Sequence, residues 1–323
     1  MAGIGQLAPF SRTGPGVGTG ATRTNKPDLV AEGGNWVHDG DLNQIIPDDP
    51  GVGVITAALD GTGRLFRAAC GTSFAAPVVA RCAADVLETY PDASANLIRA
   101  LVATSAREPA GARAVRELTE RRRLYGLGRP DSVRATESGP NRVTMTFEGD
   151  MAVDTVAIHP IPIPEAFAAG RRTTRTIEVA LAFDPPVRRQ RREYLASAIQ
   201  LDLYRAIEID DLVDIVSRQD PEDPQAPIRD RRRVSLLRPG VDSVRASTLQ
   251  LRRWQAKKLD VNDGETYLLT VTHRTQTWAR GTEYKRQRYG LAVLVEDEGR
   301  TDIDLYTLVT QRIELPARAR VRI

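Results

Sequence analysis

The chain has 323 residues, with 45 basic and 42 acidic side chains and a net charge of +3. It is long enough for two domains, and 41% hydrophobic residues exclude a wholly disordered chain. Two cysteines, Cys70 and Cys82, are too few for a disulfide framework, and no stretch approaches the 18 apolar residues that would span a membrane.

The N-terminal "MAGIGQLAPFSRTGPG" has neither a basic n-region nor an apolar h-region. Together with two thiols expected to be buried, it leads us to expect a cytoplasmic protein. Residues 1 to 66 are rich in Gly, Pro, Asn and Asp. Within them "KPDLVAEGG" (26–34) and "GVGVITAAL" (51–59) read as short strands bounded by turns. A helix is predicted over 73–89, with Val78, Val79, Cys82, Val86 and Leu87 near one face. A second follows in "YPDASANLIRALVATSA" (90–106), capped by Asp92 or Ser94, with Leu97, Ile98, Leu101 and Val102 at helical spacing. "ERRRLYGLGRPDSVRAT" (120–136) closes the section with a Gly-Pro turn.

Beyond residue 137 the period changes to two. "NRVTMTFEG", "TRTIEVALAF", "SAIQLDLYRAI", "ETYLLTVTHRT" and "RYGLAVLVED" alternate apolar and polar residues, the mark of half-buried antiparallel strands. Their number and turns predict a β-sandwich-like domain over 137–323. A short helical insertion is expected near 208–219, ended by the loop "DPEDPQAP" (220–227).

The stretch most suggestive of chemistry is "ACGTSFAAPVVARCAADVL" (69–87). A nucleophilic serine needs an exposed Oγ, an oxyanion hole and a base. Gly71 permits close approach of backbone and substrate, and the helix start after it supplies free N–H groups and a partial positive charge. Pro77 near the first turn sacrifices about one hydrogen bond. Read alone, the same residues also suit a helix cap at Ser73 or Thr72.

"GTSFAAP" resembles the serine motif of the subtilisin-like serine proteases, the subtilases. The flanks agree in the family's order: "FSRTGPG" (10–16) resembles its Phe-Ser-x-x-Gly-Pro turn, "NKPDLVAEGG" its Lys-Pro-Asp strand and loop, and "YGLGRPDSVRA" its closing Gly-x-Gly turn and final helix. Glu32 stands where proline is usual. The resemblance implies an α/β fold: residues 1–136 as the C-terminal part of a doubly wound, mostly parallel sheet, followed by the all-β domain. It implies Ser73 as nucleophile and as donor of half the oxyanion hole, and Gly71 and Thr72 as shapers of the turn. Ala31, Glu32, Gly33 and Gly34 would lie near the substrate-binding wall. The substrate would be a protein or peptide, with no cofactor. Similarity to intracellular bacterial subtilases of phage-defence systems adds an ATPase as an expected partner.

The triad of subtilisin runs Asp, His, Ser along the chain. Only His38 precedes Ser73, and Asp39 follows it where the family has glycine. His38 therefore reads as a solvent-facing residue, and Asp28 belongs to the Lys-Pro-Asp landmark. Asn25, Asn35 and Asn43 lie too close to Ser73 to be the oxyanion asparagine. The expectation is a chain that lacks the Asp/His half, is inactive alone, and is completed by an N-terminal half carrying both residues. A non-catalytic relic of a protease is the alternative.

His159 and His273 read as strand residues. "VRRQRR" (187–192), "RDRRR" (229–233) and "LRRWQAKK" (251–258) are basic clusters, with Trp254 placed where it could stack on a base. They read first as solvated or salt-bridged faces, and nucleic acid is a lesser alternative. "EIDD" and "DPEDP" match no spaced ligand loop, so no metal is expected.

Overall fold

The computed structural model describes residues 2–15, 25–59, 61, 63–168, 173–191, 193–218, 232–234, 247–257, 266–300, 304–310 and 319–322. The chain forms two compact units. The first comprises Met1–Val17, Asn25–Pro91 and Ser105–Ala135, and the second is built from Asp92–Thr104 and Thr136–Ile323.

In the first unit, glycine, proline and aspartate break the chain into short strands. β1 (Gly14–Pro15) pairs with β2 (Asn25–Lys26), β3 (Val37–Asp39) with β4 (Gln44–Ile46), and β5 (Val54–Ala57) with β6 (Phe66–Ala69), each antiparallel. The expected doubly wound, parallel sheet is therefore not formed among the described residues. Parallel neighbours need a crossover of a dozen or more residues, whereas each of these strands has two to four residues and pairs antiparallel with the next strand in the chain. Only Lys26 of "KPDLVAEGG" lies in a strand; the rest is an extended loop.

Helix α1 (Thr72–Thr89) follows β6 after two residues. Its expected apolar face is divided: Cys82 and Val86 are buried, but Val78 is 38% and Leu87 46% exposed. Helix α2 (Ala95–Ser105) is capped by Ser94, whose Oγ accepts the Leu97 N–H at 3.2 Å. α3 (Leu118–Tyr125) starts at Glu117, whose carboxylate accepts from the N–H groups of Thr119 and Glu120. α4 (Ser132–Thr136) ends the first unit's share of the helices.

The second unit contains β7 (Arg142–Ala152), β8 (Thr155–Ile161), α5 (Glu165–Ala168), β9 (Arg175–Phe183), β10 (Ser197–Ile207), α6 (Ile209–Ser217), β11 (Leu249–Ala256), β12 (Thr266–Thr275), β13 (Arg286–Asp297), α7 (Leu305–Thr310) and β14 (Ala319–Arg322). These strands form two antiparallel four-stranded sheets, ordered β10-β12-β8-β14 and β11-β9-β13-β7. One core joins them: Val179, Leu181 and Val293 from one sheet meet Leu201, Leu203 and Val271 from the other, as in a sandwich. α6 stands where the helical insertion was expected. The loop 220–227 lies outside the described residues.

The alternating pattern predicted strands buried on one face, yet every position of β9 is buried. Its second face carries small residues: Ala182 pairs with Gly290 and Ala180 with Ala292. Helix α2 lies over this face. A Cβ on Gly290 would sit 2.3 Å from the Leu97 nitrogen, Asn96 Nδ2 donates to Asp184 Oδ1 at 2.9 Å, and Arg99 donates to Thr248 Oγ1 at 3.1 Å. Residues 92–104, read from sequence with the first section, thus pack with the second unit. No described helix is long and apolar enough to cross a membrane.

Candidate active site

Ser73 lies in the first turn of α1, one residue inside the helix, and is exposed. Gly71 occupies the cap position and no side chain caps the helix, so neither Ser73 nor Thr72 serves as the cap. The Ser73 hydroxyl has no hydrogen-bond partner among the described residues. The Phe74 N–H turns back to the Gly71 carbonyl at 3.0 Å. Pro77 has no N–H to give the Ser73 carbonyl four residues earlier. The helix start thus holds an exposed hydroxyl beside the positive end of the helix dipole.

The loop Ala31–Gly34 is held against this turn. The Gly71 N–H donates to the Gly33 carbonyl at 2.8 Å. A Cβ on Gly33 would fall 2.6 Å from the Gly71 oxygen, and one on Gly34, whose φ is +80°, would fall 2.8 Å from Cys70 Cβ. Glycine at both positions is a condition of this approach. The other motifs interlock through the backbone. The Leu127 N–H donates to the Asp28 carbonyl at 2.8 Å and the Val30 N–H to the Gly128 carbonyl at 3.0 Å. Gly126 (φ +59°) and Gly128 (φ +108°) would each place a Cβ within 2.4 Å of backbone oxygens of the Pro27–Asp28 or Arg107 segments. β1 and β2 join the Gly14–Pro15 turn to the start of the Lys-Pro-Asp segment. Three motifs dispersed over a hundred residues of chain thereby brace the segment that leads into the Ala31–Gly34 loop.

Glu32, the departure from the family pattern, pairs with Arg129 at 3.0 Å. Sequence reasoning missed Arg129, although it follows the Gly-x-Gly turn directly. Cys70 is half-buried, not buried as expected, and donates its Sγ–H to the Pro47 carbonyl at 2.9 Å. Cys82 is buried and burial pushes its thiol up, so it is a poor thiolate.

Each histidine is engaged within its own unit. His38 is exposed on β3 and bonds Asn43 Oδ1 at 3.2 Å. His159 is buried against Tyr289, with Nε2 and the phenol oxygen 3.0 Å apart. His273 is buried too: its Nδ1 accepts the Asp154 N–H at 3.1 Å, and its Nε2 lies 2.9 Å from Tyr284 Oη. Burial holds its pKa down to about 4, the Asp154 charge opposing, so the ring is neutral. No group of His, Cys, Asp and Glu among the described residues could hold a metal ion.

Residues 2–137 match the Subtilase family model. The chain is also 35% identical over 317 residues to the uncharacterized protein y4bN of Sinorhizobium fredii (strain NBRC 101917 / NGR234), a match that covers 95% of this chain and 70% of that one. The chain belongs to the subtilase family. The subtilase region holds the serine motif and its interlocking glycines, and the antiparallel sheets follow it. The likeness to y4bN extends through those sheets, so the two parts occur together in that relative as well.

Proposed function

We propose that this subtilase supplies the nucleophile of a subtilisin-type endopeptidase that hydrolyses peptide bonds of a protein or peptide substrate. What carries the reading is Ser73 itself: an exposed hydroxyl, without a hydrogen-bond partner among the described residues, in the first turn of a helix that no side chain caps, directly beside a glycine-held loop. In the proposed reaction Ser73 Oγ attacks the scissile carbonyl as a base takes its proton; the base returns that proton to the leaving amine as the C–N bond breaks, and water, deprotonated by the same base, then hydrolyses the acyl-enzyme and frees Ser73. The Ser73 N–H and the α1 dipole stabilise the oxyanion. Ala31 and Glu32 offer backbone groups to an extended substrate, since the neighbouring N–H of Val30 and carbonyl of Gly33 are already bonded within the protein.

The base and its aspartate come, in this reading, from a polypeptide segment that packs on the first unit. Ser73 has no acid–base partner among the described residues, which also favours the second reading, a non-catalytic relic. Reactivity separates the two. A fluorophosphonate probe is added to the chain alone and together with a candidate segment bearing Asp and His. Labelling that appears with the segment and is lost in Ser73→Ala supports the protease. Absence of labelling with every such segment supports the relic.

A further inference from the structure

The hairpin between β9 and β10 carries the run Val187-Arg-Arg-Gln-Arg. Val187 and Leu195 bridge its arms, the Arg188 N–H donates to the Tyr194 carbonyl at 2.7 Å, and the Arg191 N–H donates to the Arg188 carbonyl at 3.0 Å. A neighbouring 3-10 turn, Thr277–Ala279, braces it. Trp278 Nε1 donates to the Glu193 carbonyl at 2.7 Å, and the Arg188 guanidinium lies over the indole, 4.8 Å from its centroid. The arginines therefore stand on an ordered support.

Other arginines of this unit have acidic partners. Arg175 meets Asp297 at 3.5 Å, Arg233 meets Asp202 at 2.5 Å, Arg253 Nε bonds Glu178 at 2.6 Å, and Arg286 meets Asp150 at 2.6 Å. Arg253 belongs to the "LRRWQAKK" cluster, and Trp254 beside it is buried against Tyr267. That cluster is thus a salt-bridged face, and Trp254 is not open to a base. The hairpin differs. Arg188, Arg189 and Arg191 are exposed, and none of them pairs with a carboxylate among the described residues. Glu193, in the hairpin, and Glu283, on the segment after Trp278, are exposed and pair with none of the three among the described residues.

We propose that this braced hairpin binds single-stranded nucleic acid through its phosphates. The cations are all arginine, whose planar fork matches phosphate oxygens in a way a lysine ammonium does not. Arg188 stacked on Trp278 forms a flat cationic and aromatic pair of the kind on which unpaired bases stack. An acidic protein would satisfy the charge without using that pair, and a duplex keeps its bases stacked on one another.

The test is fluorescence anisotropy of the full chain with a labelled oligothymidylate, a duplex and a labelled polyglutamate, across a range of salt. The expected result is binding of the oligothymidylate that weakens with salt and exceeds binding of the other two. In the triple variant Arg188→Gln, Arg189→Gln, Arg191→Gln, affinity should fall by about tenfold or more at low salt. The slope of log K against log salt should lessen by about 2, as for three lost phosphate contacts. The side chains are exposed, so thermal unfolding of the variant should match the parent and exclude misfolding. Ser73→Ala should bind as the parent does, because this surface does not depend on the protease reading. Unchanged affinity in the triple variant, or equal or tighter binding of polyglutamate or duplex, would overturn the proposal.

Discussion

In the second unit Leu181, Leu201, Leu203, Val271, Leu291 and Val293 are wholly buried between two sheets. In the first, Ile55 is 58%, Phe66 66% and Leu65 78% exposed, and α1 turns Val78 and Leu87 outward. The second unit closes its own core. The first buries fewer and smaller side chains, among them Cys82, Val86, Ala106, Ala112 and Tyr125, and links its turns by backbone hydrogen bonds, each contributing about 1 kcal/mol net. The segment proposed to bring Asp and His to Ser73 would have apolar side chains to cover.

Substitutions in the two units should differ in the size of their effects. The largest concerns Ser73. With a complementing segment present, Ser73→Ala should remove turnover by roughly 10⁶-fold, the loss that follows removal of the serine in subtilisin. A peptidase assay that retains turnover in this variant would place the chemistry elsewhere. Next is the contrast in packing. Leu291→Ala should cost about 2–5 kcal/mol in a chemical denaturation curve, whereas Phe66→Ala should change it by less than about 0.5 kcal/mol. Comparable losses would mean that the first unit has a core of its own.

The third is set by pH. His273 is neutral when folded, with a pKa of about 4 against the ordinary 6.5. Between these values the unfolded chain takes up a proton that the folded chain refuses. Stability should therefore fall as pH drops from 6.5 to 4, by about 3 kcal/mol from this group, and be insensitive to it above 6.5. Denaturation midpoints at pH 7 and pH 4 should show this fall in the parent. The extra loss should disappear in His273→Gln. The smallest effect is Glu32→Ala, which breaks an exposed pair with Arg129 and should cost no more than about 1 kcal/mol. A larger loss, read from the same curves, would show that this pair positions the loop.

Much of this architecture was legible in the residues. Gly71 and Pro77 placed the start of α1, Ser94 marked α2, and alternation marked β7, β9, β10, β12 and β13. What escaped notice was tertiary. Alternation distinguishes two faces of a strand but not what covers the second one. The small residues Ala180, Ala182, Gly290 and Ala292 were the signal that a helix lies there. The parallel sheet rests on family resemblance, and the strands of two to four residues pair antiparallel instead. At the site, the GTS motif located Ser73, but the loop's approach to it depends on Gly33 and Gly34, whose closeness no spacing rule encodes.

The Gly71 oxygen occupies the place a methyl group on residue 33 would need. The gap between the loop and the serine turn is thus gauged by a missing carbon, and the two segments are tied by the amide bridge that spans it. Any polypeptide gripped by Ala31 and Glu32 would meet the hydroxyl at a set reach, and enlarging residue 33 by a single carbon should throw that reach out of true.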